Sequence, residues 1–133
     1  MRKLTLAIGL AIATLGGAAM AQSDPVLGTW QTQPDEGAFA HVDIVPCGAA
    51  VCGTIVRSYD AGGNPIQSPN IGRQIVIDMV PQGDGVYQGS VWRPSNDKVY
   101  VGSMTLEGAN NMTLRGCVLG GLICSGQSWV RVP

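Results

Sequence analysis

Aromatic rings, charge and histidine are all scarce in this chain of 133 residues. Three Trp, three Tyr and one Phe leave most of any core to Val, Ile, Leu, Met and Ala, and the β-branched members of that set suit a pleated sheet. His41 is the sole histidine, so a metal centre would have to rest on scattered carboxylates, and no local ligand cluster exists. Asp60-x-Gly62-x-Asn64 has the start of a calcium loop, but Pro65 stands where the sharp-turn glycine belongs and no glutamate closes it. No G-x-S-x-G elbow supplies a nucleophile. The expectation is a protein without catalytic residues, without a metal and without a cofactor. Basic residues are equally few and never clustered, which argues against a nucleic-acid partner.

Long hydrophobic runs are also missing beyond the first residues. Leu4 to Leu15 is apolar over twelve positions, whereas a membrane-spanning helix needs roughly 20. With Arg2 and Lys3 before it and Ala19-Met20-Ala21 after it, the run reads as a secretory signal peptide, residues 1–21, cut after Ala21. Residues 22–133 are then expected to form one domain in the periplasm or outside the cell. The mature chain would have 112 residues and, with Arg2 and Lys3 removed, six basic against nine acidic side chains.

In an oxidising compartment an even number of cysteines reads as a disulfide framework. Cys47, Cys52, Cys117 and Cys124 allow three connectivities. Cys117 and Cys124 stand symmetrically about Gly120-Gly121, so a two-residue turn there would set them opposite each other on adjacent strands, within disulfide reach. Cys47 and Cys52 flank a four-residue loop in the same way. Both pairs are expected as hairpin staples worth roughly 2 kcal/mol each. Free buried thiols and zinc are the alternatives, and C-x4-C with C-x6-C is not a zinc-knuckle spacing.

From Val26 onward, short alternating or apolar runs are separated by turn residues, with no 3.6-residue period. Turn signals at 33–37, 48–50, 60–72, 82–85, 94–97, 108–111 and 120–121 divide the chain into eight strands. These lie near 26–32, 39–47, 51–58, 74–80, 86–92, 98–106, 112–118 and 123–132. The pattern predicts an all-β, antiparallel, eight-stranded up-and-down barrel, with a sandwich as the alternative. Alternation puts Ile75, Ile77 and Met79 on one face of their strand, and Phe39, His41 and Asp43 opposite Ala40, Val42 and Ile44. The 60–72 connection has no pattern of its own, and loops of that length are often functional.

Gly28-Thr29-Trp30 on the first strand and Trp129-Val130-Arg131 on the last resemble the closed end of lipocalin-like barrels, where an arginine from the final strand packs over a tryptophan from the first. Trp30 and Arg131 are therefore the expected closure pair, through a cation-π contact, against the plainer reading of two core tryptophans. Trp92 and Tyr100 flank the 94–97 hairpin and are the candidate ligand-binding wall at one barrel mouth, or else ordinary sheet packing. Arg57, Arg73, Arg93 and Arg115 are isolated in sequence, and a barrel would have to gather them to make an anion clamp. His41 and Asp43 share a face, but a solvated histidine on a strand is the expected reading.

Taken in order, Gly28-x-Trp30, Cys47-Gly48 to Val51-Cys52-Gly53-x-Ile55, Asn64-Pro65, Arg93-Pro94 before Tyr100, Leu114-Arg115-Gly116-Cys117 and Gln127-Ser128-Trp129-Val130-Arg131-Val132 resemble the bacterial domain of unknown function 2147 family. Only the run after Asn64-Pro65 departs from it. The resemblance implies an exported bacterial protein with a lipocalin-like barrel and no established activity, so it brings no catalytic residues. The leading expectation is a periplasmic binding module for a small apolar or amphipathic ligand, with no protein partner assigned. The alternative is an envelope interaction or structural protein acting through its surface or the 60–72 loop.

Overall fold

Glycine, Asn and Asp at the chain reversals let β-branched runs fold back on one another, and the result is nine strands in one antiparallel sheet. The computed structural model describes residues 24–133; the predicted signal peptide lies outside the described residues. The strands are β1 (Gly28–Gln31), β2 (Phe39–Cys47), β3 (Ala50–Tyr59), β4 (Pro65–Ile66), β5 (Gln74–Gly83), β6 (Val86–Arg93), β7 (Lys98–Leu106), β8 (Asn111–Val118) and β9 (Ile123–Arg131). Eight of them follow one another around a ring, and β1 pairs with both β2 and β9, so the sheet closes as an up-and-down barrel. Closure removes the exposed edges that an open sheet would present. β4 lies outside the ring and pairs only with β3.

Residues opposite each other in a ladder point to the same side, and their chain neighbours to the other. Trp30 lies opposite Val42, Met104 opposite Leu114, and Met112 opposite Trp129, and all six are buried. They form the inner face. Phe39, His41 and Asp43 therefore point outward, which settles the orientation that alternation alone left open. Gly53, opposite Ile44, has to be glycine: a Cβ there would lie 2.9 Å from Val42 and 3.0 Å from Val76.

The two ends differ in their connections. Residues 24–27, the 106–111 connection and Arg131 meet at one end, which is closed. The 32–38, 60–73, 94–97 and 119–122 connections surround the other, the mouth. At the closed end the chain bends through Asp24, whose side chain accepts from the Val26 N–H at 3.1 Å, and Val26 is driven into the barrel as a plug. The Trp30 indole N–H donates to the Val26 carbonyl at 2.9 Å.

Several expected details change. The Cys117–Cys124 hairpin turns through four residues, Leu119 to Leu122, rather than two, with Leu119, Gly120 and Gly121 all at positive φ. Cys117 and Cys124 are still directly opposite, at a Cα separation of 4.1 Å, and are bridged. The reverse occurs at Cys47–Cys52: Gly48 at φ 66 permits a two-residue turn, Cys47 pairs with Ala50, and the bridge runs diagonally over a Cα separation of 5.6 Å. On β5 strict alternation fails because the ladder shifts on both sides of the strand and Asp78 sits at φ 47. Ile75, Val76 and Met79 are buried, while Ile77 is only half-buried. The 60–72 connection does have a pattern: Asp60 accepts from the Gly62 and Asn64 N–H groups, and β4 then folds back on β3.

Candidate functional site

Small inward residues at the mouth end of the strands leave the upper barrel hollow. Ala40 lies opposite Ser58, and Gly116 opposite Ser125. Where the closed end has methionine and tryptophan facing inward, these four positions carry side chains of at most two heavy atoms. The space becomes a cavity of about 710 Å³, open to solvent and bordered by residues from three of the four mouth connections, 32–38, 60–73 and 94–97. That volume falls within the range of about 300–1,000 Å³ that holds small-molecule ligands.

The cavity is apolar below and polar above. Ile55, Ile75, Val91 and Leu114 form its lower wall, and each is buried. Gln127, which borders the cavity, accepts through Oε1 from the indole N–H of the buried Trp129 at 2.9 Å. At the rim, Arg93 extends from β6 to Asp35 in the β1–β2 connection. Its Nε donates to Asp35 Oδ2 at 3.2 Å and its Nη2 to Oδ1 at 3.3 Å. β6 stands opposite β1 in the ring, so this ion pair spans the mouth. Among the described residues, the charged side chains that border the cavity are Asp35, Glu36 and Arg93.

Trp92 and Tyr100 both border the cavity, but not as one wall. Tyr100 lies opposite Val91, and Trp92 opposite Val99, so the two rings stand on different faces of the β6–β7 pair. The Trp92 indole donates to Asp97 Oδ1 at 2.9 Å, with the Arg73 guanidinium 3.8 Å from the ring centre. The Tyr100 hydroxyl accepts from the Asn96 amide at 2.7 Å.

Trp30 and Arg131 come together at the closed end, with the guanidinium 4.5 Å from the indole ring centre and the two residues paired in the β1–β9 ladder. Arg131 also donates to the carbonyls of Pro25, Leu27 and Ala109 at 2.6, 2.8 and 2.8 Å. It therefore ties the first and last strands to the plug. A side chain at Gly28, φ +128, would come within 2.8 Å of that guanidinium, which explains the glycine of the G-x-W triplet.

The four remaining arginines are not gathered into a clamp. Arg93 and Arg73 reach the mouth and are paired with Asp35 and Asp97. Arg57 and Arg115 stay on the outer surface. His41 lies outside the barrel, with Nε2 3.1 Å from Gln31 Oε1 and Nδ1 3.4 Å from the Tyr59 hydroxyl. Asp43 is bonded to Thr29 instead. Burial, reinforced by the nearby Arg57 charge, lowers the His41 pKa. Among the described residues, Cys47, Cys52 and Asp78 are the group whose ligand atoms lie close enough to share a metal, but both sulfurs are committed to the disulfide. No helix of the described residues is long and apolar enough to cross a membrane.

Sequence reasoning expected a ligand in the barrel interior or mouth but did not find that the barrel is hollow there, nor the Asp35 partner of Arg93. A usable signal was present: Ala40, Ser58, Gly116 and Ser125 are small at the mouth end of strands whose other end carries Ile44, Val51, Met112 and Trp129. Reading it required knowing which face points inward.

The comparisons with known proteins are consistent with this geometry. A family model described as an uncharacterized protein conserved in bacteria, DUF2147, matches residues 28–131. A solved structure, protein HP1028 from the human pathogen Helicobacter pylori, described as belonging to the lipocalin family, superimposes with a TM-score of 0.66. It is 15% identical, and the match covers 81% of this chain and 83% of that one; the likeness is one of fold. Comparison with curated proteins gave no match.

Proposed function

This chain belongs to the bacterial DUF2147 family, and from that premise we propose that it is a non-catalytic binding module of the periplasm that holds a small apolar or amphipathic molecule in the upper half of its barrel. The observation that carries the reading is the cavity of about 710 Å³ with an apolar lower wall and a polar rim. An apolar ligand segment would gain by leaving water for Ile55, Ile75, Val91 and Leu114. A polar end would remain at the level of Arg93, Asp35 and Tyr100. The two disulfides suit an oxidising compartment. His41 faces outward and away from the cavity, which supports a role in binding rather than reaction. The 60–72 connection supplies Ile66, Ser68 and Asn70 to the mouth wall; this favours the cavity over a separate surface role for that loop.

The test is titration with N-phenyl-1-naphthylamine, whose fluorescence rises in apolar surroundings. Saturable binding near one probe per chain is expected, and Ala40→Phe, which fills the cavity from an inward position, should weaken it by about ten-fold or more. A linear, unsaturable response, or an unchanged affinity in the variant, would contradict the reading.

A further inference from the structure

The tip of the β8–β9 hairpin exposes more apolar surface than folding requires. Leu122 is 85% exposed and Leu119 is 67% exposed. Leu119 also sits at φ 54, a conformation that is costly for a side chain with a Cβ and that asparagine or glycine would adopt more easily. A hydrophobic residue held in unfavourable backbone geometry and pointed into solvent has no explanation within the barrel. The disulfide Cys117–Cys124 pins the hairpin just below this tip, so the leucines are presented on a rigid support.

The apolar surface is continuous in two directions. On the outer face it extends to Val99 and Val101, the latter 70% exposed and opposite Cys117 in the ladder. On the inner face it continues through Val118 and Ile123, which border the cavity. Between Gly116 and Val130 the chain has no charged residue. The nearest charges are Lys98, which borders the same patch, and Arg115, which shares the outer face with Val101. Neither has a carboxylate partner among the described residues. Asp97, next to Lys98, is turned toward Trp92 and Arg73.

We propose that this hairpin tip docks the protein on an anionic lipid bilayer, with Leu119 and Leu122 inserted at the interface, Lys98 and Arg115 at the headgroups, and the barrel mouth set beside the membrane. Apolar side chains that protrude from a rigid tip and are flanked by unpaired cations match what a bilayer interface offers, namely hydrocarbon below and negative charge above. A protein partner would find almost no hydrogen-bonding side chain at the tip to fix its orientation. Val118 and Ile123 would then provide an apolar path between membrane and cavity. That transfer step rests on the cavity reading; docking itself does not.

Flotation of the disulfide-intact protein with vesicles of phosphatidylethanolamine and phosphatidylglycerol tests this. The wild type is expected to float, and binding should weaken when phosphatidylcholine replaces the anionic lipid or when salt is raised. Leu119→Asn combined with Leu122→Ser should reduce the bound fraction by about ten-fold or more, while Leu122→Trp should bind and shift its emission to the blue on vesicles. Ala40→Phe should float as the wild type does. An unsaturable probe response of the wild type, or a probe affinity unchanged in Ala40→Phe, with flotation retained would break the cavity reading and leave docking standing. The proposal is overturned if the wild type does not float, if the double variant floats equally, or if the tip substitutions instead dissolve a dimer or abolish crosslinking to another protein.

Discussion

At the closed end Trp30, Trp129, Met104 and Met112 meet as a filled core, whereas at the mouth Ala40, Ser58, Gly116 and Ser125 occupy inward positions of the same strands and leave a cavity of about 710 Å³. The arginines at the two ends are held differently. Arg131 is bonded to three backbone carbonyls and lies over a buried indole; Arg93 makes one ion pair across open space. The contrast divides a single sheet in two: bulk and saturated hydrogen bonds hold the barrel together at one end, and their absence at the other leaves the cavity in which the proposed ligand would sit.

If that division is right, truncation at the closed end should be far more damaging than at the mouth. Met104→Ala, in the fully buried core of the closed end, is expected to cost about 4 kcal/mol, measured by urea unfolding. Arg131→Ala should cost about 3 kcal/mol, because three carbonyls lose charged donors and Trp30 loses its cation. Both variants should keep probe affinity under conditions where they remain folded.

The mouth arginine sharpens the comparison. Arg93→Ala removes an exposed ion pair and should leave stability almost unchanged, yet probe association and release should both speed up, as stopped-flow mixing would show. A large loss of stability there would mean that the mouth is structural after all.

The smallest effect concerns His41, which belongs to neither end. Its folded-state pKa lies below the ordinary value of 6.5, so the unfolded chain takes up a proton first as pH falls. Its contribution is thus fully present above 6.5 and declines as pH falls below that value. His41→Gln should flatten that part of the stability profile without altering probe binding.

Much of the barrel was legible because turn residues punctuate β-branched runs at short intervals, and because Gly28-x-Trp30 and Trp129-x-Arg131 mark where the sheet closes. The hidden parts are those in which local pattern and backbone geometry diverge. Asp78 at φ 47 breaks the alternation of β5, and alternation is all that a sequence offers for assigning faces. Hairpin length at Cys47–Cys52 and Cys117–Cys124 depended on which residues accept positive φ, and Leu119 is a residue that ordinarily does not. The cavity was invisible for a different reason. It consists of what is missing from four inward positions, and those positions become comparable only once the ladders fix their facing.

The central claim, that the upper barrel is a ligand site, is tested most directly by native mass spectrometry of the disulfide-bonded protein purified gently from its own cells, beside a sample unfolded and refolded without ligand. The account predicts an additional small-molecule mass on the native sample, absent after refolding and absent from Ala40→Phe. Identical, ligand-free masses for the native and refolded wild type would contradict it.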